Sequence, residues 1–156
     1  MDWVNVLVQG ALLGGLYALF AAGLSLIFGV MRLVNIAHGD LIIFAAYLGL
    51  TVVTFTGLHP LLALVFVIPA MAIIGYVLQI GILNHTLGDD LLPPLLVTFG
   101  LSVILQNSLL EIYTADPQKM DAGVLETASF PLGELQLGVL PVLTFGIAVV
   151  VIASLQ

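Results

Sequence analysis

Long apolar runs separated by short polar breaks dominate this chain of 156 residues. A helix needs about 20 largely apolar residues to cross the hydrocarbon core of a bilayer, because each residue advances it by only about 1.5 Å. The runs are bounded by polar residues, glycine or proline, and they predict an all-α, polytopic transmembrane helical bundle. About five transmembrane helices are predicted, at residues 6–30, 41–55, 61–83, 95–113 and 137–156.

The segments between the runs divide into short turns and one loop. Residues 41–88 contain no Asp, Glu, Lys or Arg and are long enough for two spans. Only residues 54–60 then remain for the turn, so the second and third helices are expected to form a tight hairpin. Residues 115–133 are rich in Asp, Glu, Pro and Gly, and their backbone polar groups would be unpaired in hydrocarbon, so we expect an extramembrane loop there. Because the last run is still apolar at Gln156, we expect residues 1–156 to be the N-terminal portion of a single transmembrane domain.

Composition excludes a soluble domain and a nucleic-acid-binding protein. Hydrophobic residues make up 62% of the chain and charged residues 7%, whereas a soluble domain carries about 25% charged residues. Arg32 and Lys119 are the two basic residues, so the chain lacks the cationic patch that binding to phosphates requires. These two residues fall in different segments between the helices, and the positive charges therefore do not orient the chain in the membrane.

The segment with the most concentrated polarity lies between the first two apolar runs and contains Asn35, His38 and Asp40. Ionisable residues within or at the edge of a membrane are candidates for function. Asn35 could cap a helix and His38 could pair with Asp40, or the three side chains could meet a polar solute at a helix end. Alternatively, the segment is a short connector at the level of the lipid headgroups, with Asp40 as the N-cap of the second helix.

A second polar feature lies within the fourth predicted helix. Thr98, Ser102 and Gln106 recur at every fourth residue, and Asn107 follows. This spacing places the first three on one face of a helix. The stripe could line an aqueous path or form hydrogen bonds to neighbouring helices. Both interpretations stay open at this point, because either water or protein satisfies an amide that would be costly in lipid.

Small residues form a stripe along the first predicted helix. Their spacing of four residues predicts that another helix approaches closely on this face, either within the bundle or across a homodimer. The residues concerned are Gly10, Gly14, Ala18 and Ala22.

The third predicted helix contains a proline and a glycine within its apolar run. Pro69 removes one hydrogen bond of the helix, and Gly75 follows it within two turns. The pair predicts a kink, which makes Pro69 and Gly75 candidates for a gate.

No motif for catalysis or cofactor binding is present. The sequence contains no G-x-S-x-G nucleophile motif, no G-x-x-x-x-G-K-[ST] phosphate loop and no cysteine. Its three histidines lack the spacing of metal ligands. We therefore expect a protein that is not an enzyme, with no catalytic residue, no metal and no cofactor. An intramembrane enzyme using His38 and Asp40 would need a further catalytic partner, which we do not find.

Four stretches of sequence point to a known family. They are residues 10–19 (GALLGGLYAL), 23–30 (GLSLIFGV), 33–40 (LVNIAHGD) and 97–107 (VTFGLSVILQN). In this order they resemble the permeases of branched-chain amino-acid ABC transporters of the LivH type. The resemblance covers nearly all of this chain and about the first half of a family member.

The resemblance implies a permease subunit of an ATP-binding-cassette importer in the cell inner membrane, forming the path for branched-chain amino acids. The implied partners are a second permease subunit, cytoplasmic ATP-binding subunits that hydrolyse the ATP, and a periplasmic or extracellular solute-binding protein. The resemblance also implies that the turns containing Arg32 and Asp89 are cytoplasmic and that the loop at residues 115–133 lies outside.

Two other functions stay open on the sequence. The family is also similar to transporters of urea and short amides, so the solute could be one of these. The chain could instead be a structural or assembly subunit of the membrane without its own translocation path. That second alternative predicts that the stripe of Thr98, Ser102 and Gln106 is sealed against neighbouring helices.

Overall fold

The computed structural model describes residues 2–88, 90–119, 129–132 and 135–154. The described residues contain five α-helices, one short 3₁₀ turn after α3 and two short strands. In chain order they are α1 (Asp2–Met31), α2 (His38–Thr56), α3 (Pro60–Gly81), the 3₁₀ turn (Leu83–His85), α4 (Leu92–Tyr113), β1 (Ser129–Leu132), β2 (Leu135–Gly138) and α5 (Val139–Ser154).

The predicted all-α transmembrane bundle is confirmed. The helices α1 to α4 are long and apolar enough to cross a membrane, and α5 is a shorter apolar helix of 16 residues. One feature was not predicted: β1 and β2 pair antiparallel, with Ser129 opposite Gly138 and Leu132 opposite Leu135. Because β2 extends to Gly138, α5 begins at Val139, two residues after the predicted start of the fifth helix.

Several helices extend beyond the apolar runs that predicted them. Helix α2 begins at His38, so the polar residues expected in a connector form its first turn. Helix α4 begins at Leu92, because Pro93 and Pro94 lie in the first turn, where a helix needs no N–H donor from them. The hydrophobic pattern reports the part of a helix within lipid, and polar residues at its ends stay helical without contributing to that pattern.

The expected extramembrane loop at residues 115–133 falls largely outside the described residues. Within the described part, residues 115–119 form neither helix nor strand, and residues 129–132 form β1. Asp89 and the last two residues of the predicted fifth helix also lie outside the described residues.

The chain forms two compact units. One contains α1 up to Leu26 together with the β-hairpin and α5. Within this unit α1 and α5 approach closely, because Gly15 is buried and a Cβ atom there would overlap the ring of Phe145. Van der Waals packing is a main source of helix association in lipid, so a glycine at this position permits the contact.

The other unit extends from Ile27 through α4. Its helices α2 and α3 are joined by residues 57–59. Gly57 ends α2 in the left-handed conformation, with φ of 66°, and its N–H donates to the Val53 carbonyl at 2.8 Å. His59 is the N-cap of α3, and its Nδ1 accepts from the Leu61 amide at 3.3 Å. Left-handed glycine and N-cap histidine together allow a three-residue connection.

Candidate functional site

Helices α2 and α4 are joined by a line of polar contacts, called the α2–α4 seam below. The residues that make it are Ile36, Asp40, Tyr47 and Thr51 in α2 and the segment before it, and Thr98, Ser102, Gln106 and Tyr113 in α4. Three of its hydrogen bonds join residues that are 62 positions apart in the chain. They pair Ile36 with Thr98, Asp40 with Ser102, and Thr51 with Tyr113. A constant separation means that the two helices run in the same direction.

The upstream end of the seam is the connector between α1 and α2, in which Leu33, Asn35 and Ala37 are buried. Asn35 is 7% exposed, and its Oδ1 accepts from the Ala37 amide at 3.0 Å. Its carbonyl oxygen accepts from the His38 amide at 3.2 Å. Both bonds stay within the connector, so Asn35 fixes the path of the chain into α2. His38, the first residue of α2, is half-buried.

Thr98 anchors this connector to α4. Its side chain is fully buried, and its Oγ1 accepts from the Ile36 amide at 3.2 Å. The same hydroxyl lies 2.9 Å from the Pro94 carbonyl oxygen, to which it donates. A threonine hydroxyl has one donor and two acceptor positions, so a single side chain serves both bonds.

Asp40 does not cap α2, and the alternative that placed it there is wrong. The N-cap residue is Ala37, which makes no capping bond through its side chain, and Asp40 is the third residue of the helix. Its Oδ2 accepts from the Ser102 hydroxyl at 2.5 Å, and its Oδ1 accepts from Gln106 Nε2 at 3.1 Å. The carboxylate therefore joins α2 to two successive turns of α4, and its charge also suits the positive end of the α2 dipole.

The predicted polar stripe of α4 divides into a sealed part and an open part. Thr98 and Ser102 are buried, whereas Gln106 and Asn107 are exposed. Gln106 Nε2 also donates to Ser102 Oγ at 3.1 Å. Asn107 does not join this group: its Nδ2 donates to the Val103 carbonyl of its own helix at 2.7 Å. The structure thus brings Asp40, Ser102 and Gln106 together.

A cavity of about 260 Å³ opens at the exposed end of this group. Part of its wall is polar and part is aliphatic. The lining residues are Asp40, Ile43, Tyr47, Gln106, Leu109, Leu110 and Thr114. A concave site that combines apolar walls with a few convergent polar groups is the usual form of a small-molecule site.

Tyr47, Thr51 and Tyr113 form the far end of the seam, and they were not among the predicted site residues. The two tyrosine rings lie with centroids 4.4 Å apart and tilted by 34°, and the hydroxyls of Thr51 and Tyr113 share a hydrogen bond. Tyr47 and Thr51 follow Asp40 by seven and eleven residues, which places all three on one face of α2. That spacing was the available signal.

The other predicted site residues lie outside the seam. Pro69 and Gly75 are exposed in α3, which runs without interruption from Pro60 to Gly81. A Cβ atom added at Gly10 or Gly14 would meet no other atom within 4 Å, while Ala18 is exposed and Ala22 is half-buried. The gate and the packing stripe therefore stay predictions. Among the described residues, no group of three His, Asp or Glu side chains could hold a metal ion.

Comparison with known proteins gives the context of this site. The family model described as branched-chain amino acid transport system, permease component, matches residues 6–155. The chain is 26% identical over 140 residues to the high-affinity branched-chain amino acid transport system permease protein BraD of Pseudomonas aeruginosa. The aligned part covers 85% of this chain and 45% of BraD, so the chain spans about half the length of this curated relative. No solved structure matches it.

The family match extends over nearly the whole chain and agrees with the resemblance found in the sequence. Four helices long and apolar enough to cross a membrane, together with the apolar α5, fit a multi-pass membrane protein. The chain belongs to the family of membrane permease components of branched-chain amino acid transport systems.

Proposed function

We propose that this chain forms part of the translocation path of an ATP-binding-cassette importer for branched-chain amino acids. The observation that carries the proposal is the open end of the α2–α4 seam, where Asp40 and Gln106 border the cavity of about 260 Å³. The family match and the name of the Pseudomonas relative support the same solute class.

The seam combines a fixed part with an accessible part. Thr98 and Ser102 are buried between helices and hold α2 against α4. Asp40 and Gln106 lie where the seam opens, and they offer polar groups to a solute. A branched-chain amino acid has a charged backbone and an aliphatic side chain, so it needs a site with polar and apolar walls.

The energy source and the partners follow from the family as proposals. In the proposed importer, separate cytoplasmic subunits hydrolyse the ATP, as the match to a permease component of a transport system suggests. A second permease subunit completes the path, and an extracytoplasmic solute-binding protein delivers the solute. In this arrangement the chain is the N-terminal portion of one transmembrane domain in the inner membrane, with Arg32 on the cytoplasmic side.

A structural subunit without a path would have a seam that is sealed throughout. Thr98 and Ser102 meet that expectation, but Gln106 is exposed and borders a cavity. The open end therefore favours a path over a purely structural role. Urea and short amides lack an aliphatic chain long enough to use the wall formed by Leu109 and Leu110, which favours the amino acids.

We expect Gln106→Leu to lower leucine uptake about 2- to 10-fold, the effect of losing one or two polar contacts at the path. The measurement is ATP-dependent uptake of radiolabelled leucine and urea by cells that carry the full-length permease with its partner subunits. Asn107→Leu is the matched control, because Asn107 is an exposed neighbour whose side chain bonds to its own helix.

Leucine uptake that falls in Gln106→Leu and not in Asn107→Leu, at equal protein levels, supports the importer and a path at the seam. Wild-type cells that accumulate urea and not leucine would move the solute class to the short amides. Wild-type cells that accumulate neither solute would favour the structural subunit.

A further inference from the structure

We propose that Asp40 and Gln106 bind the α-ammonium group of the transported amino acid, while Ile43, Leu109 and Leu110 contact its aliphatic side chain. This inference rests on the proposed function and adds the chemical basis of selection at the same site. All five residues line one cavity in the unit that contains α2 and α4.

The Asp40 carboxylate has the charge and the capacity for such a ligand. Its donors, Ser102 and Gln106, are neutral side chains, so their hydrogen bonds orient the carboxylate without cancelling its charge. Each of these bonds occupies one lone pair of a different oxygen, and an ionised carboxylate offers about four such positions. An ammonium group has three donors and one positive charge, and it matches what remains.

Gln106 adds a second acceptor to the same place. Both of its hydrogen bonds within the seam are made by Nε2, which donates to Asp40 and to Ser102. The nitrogen is thereby turned toward the seam, and neither of these two bonds uses Oε1. An ammonium group beside Asp40 can also donate a hydrogen bond to this oxygen. Because the donor is charged, that hydrogen bond is stronger than one between two neutral groups.

The remaining wall suits a short aliphatic chain. Leu109 is 8% exposed and forms the fixed base, while Ile43 and Leu110 present about half of their surface. The cavity of about 260 Å³ lies just below the range of roughly 300 to 1,000 Å³ that accommodates drug-sized ligands. A small solute with one cationic end and one branched apolar end fits both parts of the lining.

The competing interpretation is that Asp40 only holds α2 against α4. A purely structural carboxylate would be indifferent to the charge of any solute in the cavity. The two interpretations therefore differ in their response to ligands that differ only in the ammonium group.

The test uses an introduced cysteine as a reporter, since residues 1–156 contain no cysteine, and any cysteine elsewhere in the transporter is first replaced by serine. Leu110→Cys places a thiol on the cavity wall of the full-length transporter, and the rate of its reaction with a methanethiosulfonate reagent is measured. The probes are leucine, leucinamide and 4-methylpentanamide, of which the last lacks the ammonium group. Ile104→Cys is the control, since Ile104 is exposed on the same helix and does not line the cavity.

We expect leucine and leucinamide to slow labelling at Leu110→Cys, and 4-methylpentanamide to have no effect at the same concentration. Adding Asp40→Asn should raise the concentration needed for protection about 10- to 100-fold, and Asp40→Glu should raise it less. Labelling of Ile104→Cys should not respond to any of the three. The comparison among probes uses the unaltered Asp40, so it stands even if Asp40→Asn does not assemble.

Leucine uptake by the wild-type transporter distinguishes a failure of the ammonium site from a failure of the proposed importer. Protection by 4-methylpentanamide equal to that by leucinamide, or protection that Asp40→Asn leaves unchanged, would overturn the ammonium site. With leucine uptake still intact, the proposed importer would stand. A wild-type transporter that takes up neither leucine nor urea would overturn the importer itself.

Discussion

Replacing Gly15 by leucine should lower the free energy of unfolding of the permease by about 1 to 3 kcal/mol. Gly15 is buried in α1, and even a Cβ atom there would overlap the Phe145 ring of α5. A leucine must therefore displace the ring or push the two helices apart. The gain in helix propensity from glycine to leucine is below about 1 kcal/mol, so the loss of packing dominates. The measurement is unfolding of the purified full-length permease in mixed micelles titrated with a denaturing detergent.

Gly14→Leu is the matched control for this prediction. It makes the same change at the preceding residue, where nothing lies within 4 Å of the Cβ position. We expect Gly14→Leu to leave the free energy of unfolding unchanged or to raise it slightly. Equal losses at both positions would contradict the specific contact with Phe145. A Gly14→Leu permease that unfolds normally but fails to assemble would support the predicted packing stripe of Gly10, Gly14, Ala18 and Ala22.

Replacing Thr98 by valine should also cost about 1 to 3 kcal/mol, the penalty for leaving a partly buried donor without its acceptor. Valine has nearly the same shape as threonine and removes only the hydroxyl. The Ile36 amide loses its partner at 3.2 Å, and the valine that replaces the fully buried Thr98 offers no acceptor in its place. Unfolding in mixed micelles measures the loss, and leucine uptake should fall with it because the connector before α2 is released.

Thr54→Val makes the same chemical change at an exposed position of α2. The Thr54 hydroxyl donates to the Leu50 carbonyl of its own helix at 2.8 Å and joins no other element. We expect a change within about 0.5 kcal/mol, as for surface substitutions in general. If Thr98→Val costs no more than Thr54→Val, the bond from the connector to α4 contributes nothing to stability.

The helices were predictable because a helix that crosses the bilayer has a minimum length, and the length of each apolar run in the sequence can be compared with it directly. What the runs could not report is which polar residues continue a helix beyond lipid. His38, Gly39 and Asp40 look like a connector when judged by hydropathy, yet they form the first turn of α2. An acidic residue near a helix start suits both a cap and a contact with another helix, so local sequence did not separate the two roles of Asp40.

Some members of the candidate site were predictable, but its far end at Tyr47, Thr51 and Tyr113 and its arrangement were not. Spacing placed Thr98, Ser102 and Gln106 on one face of α4, and the polar segment before α2 was found independently. The pairing of the two depends on the relative position of α2 and α4, which tertiary packing decides. The same limit applies to α1, where the G-x-x-x-G spacing pointed to Gly10 and Gly14, while the close contact with Phe145 uses Gly15.

The constant separation of 62 residues across the seam determines where this protein can change length. A residue inserted in the segment between the end of α3 and the start of α4 shifts the numbering of α4 against α2 but leaves the register within both helices unchanged. One inserted between Asp40 and Thr51 turns the rest of α2 by about 100° and separates Thr51 from Tyr113, since a helix has about 3.6 residues per turn. Within these eleven residues of α2, an insertion or deletion therefore breaks the seam at one end or the other.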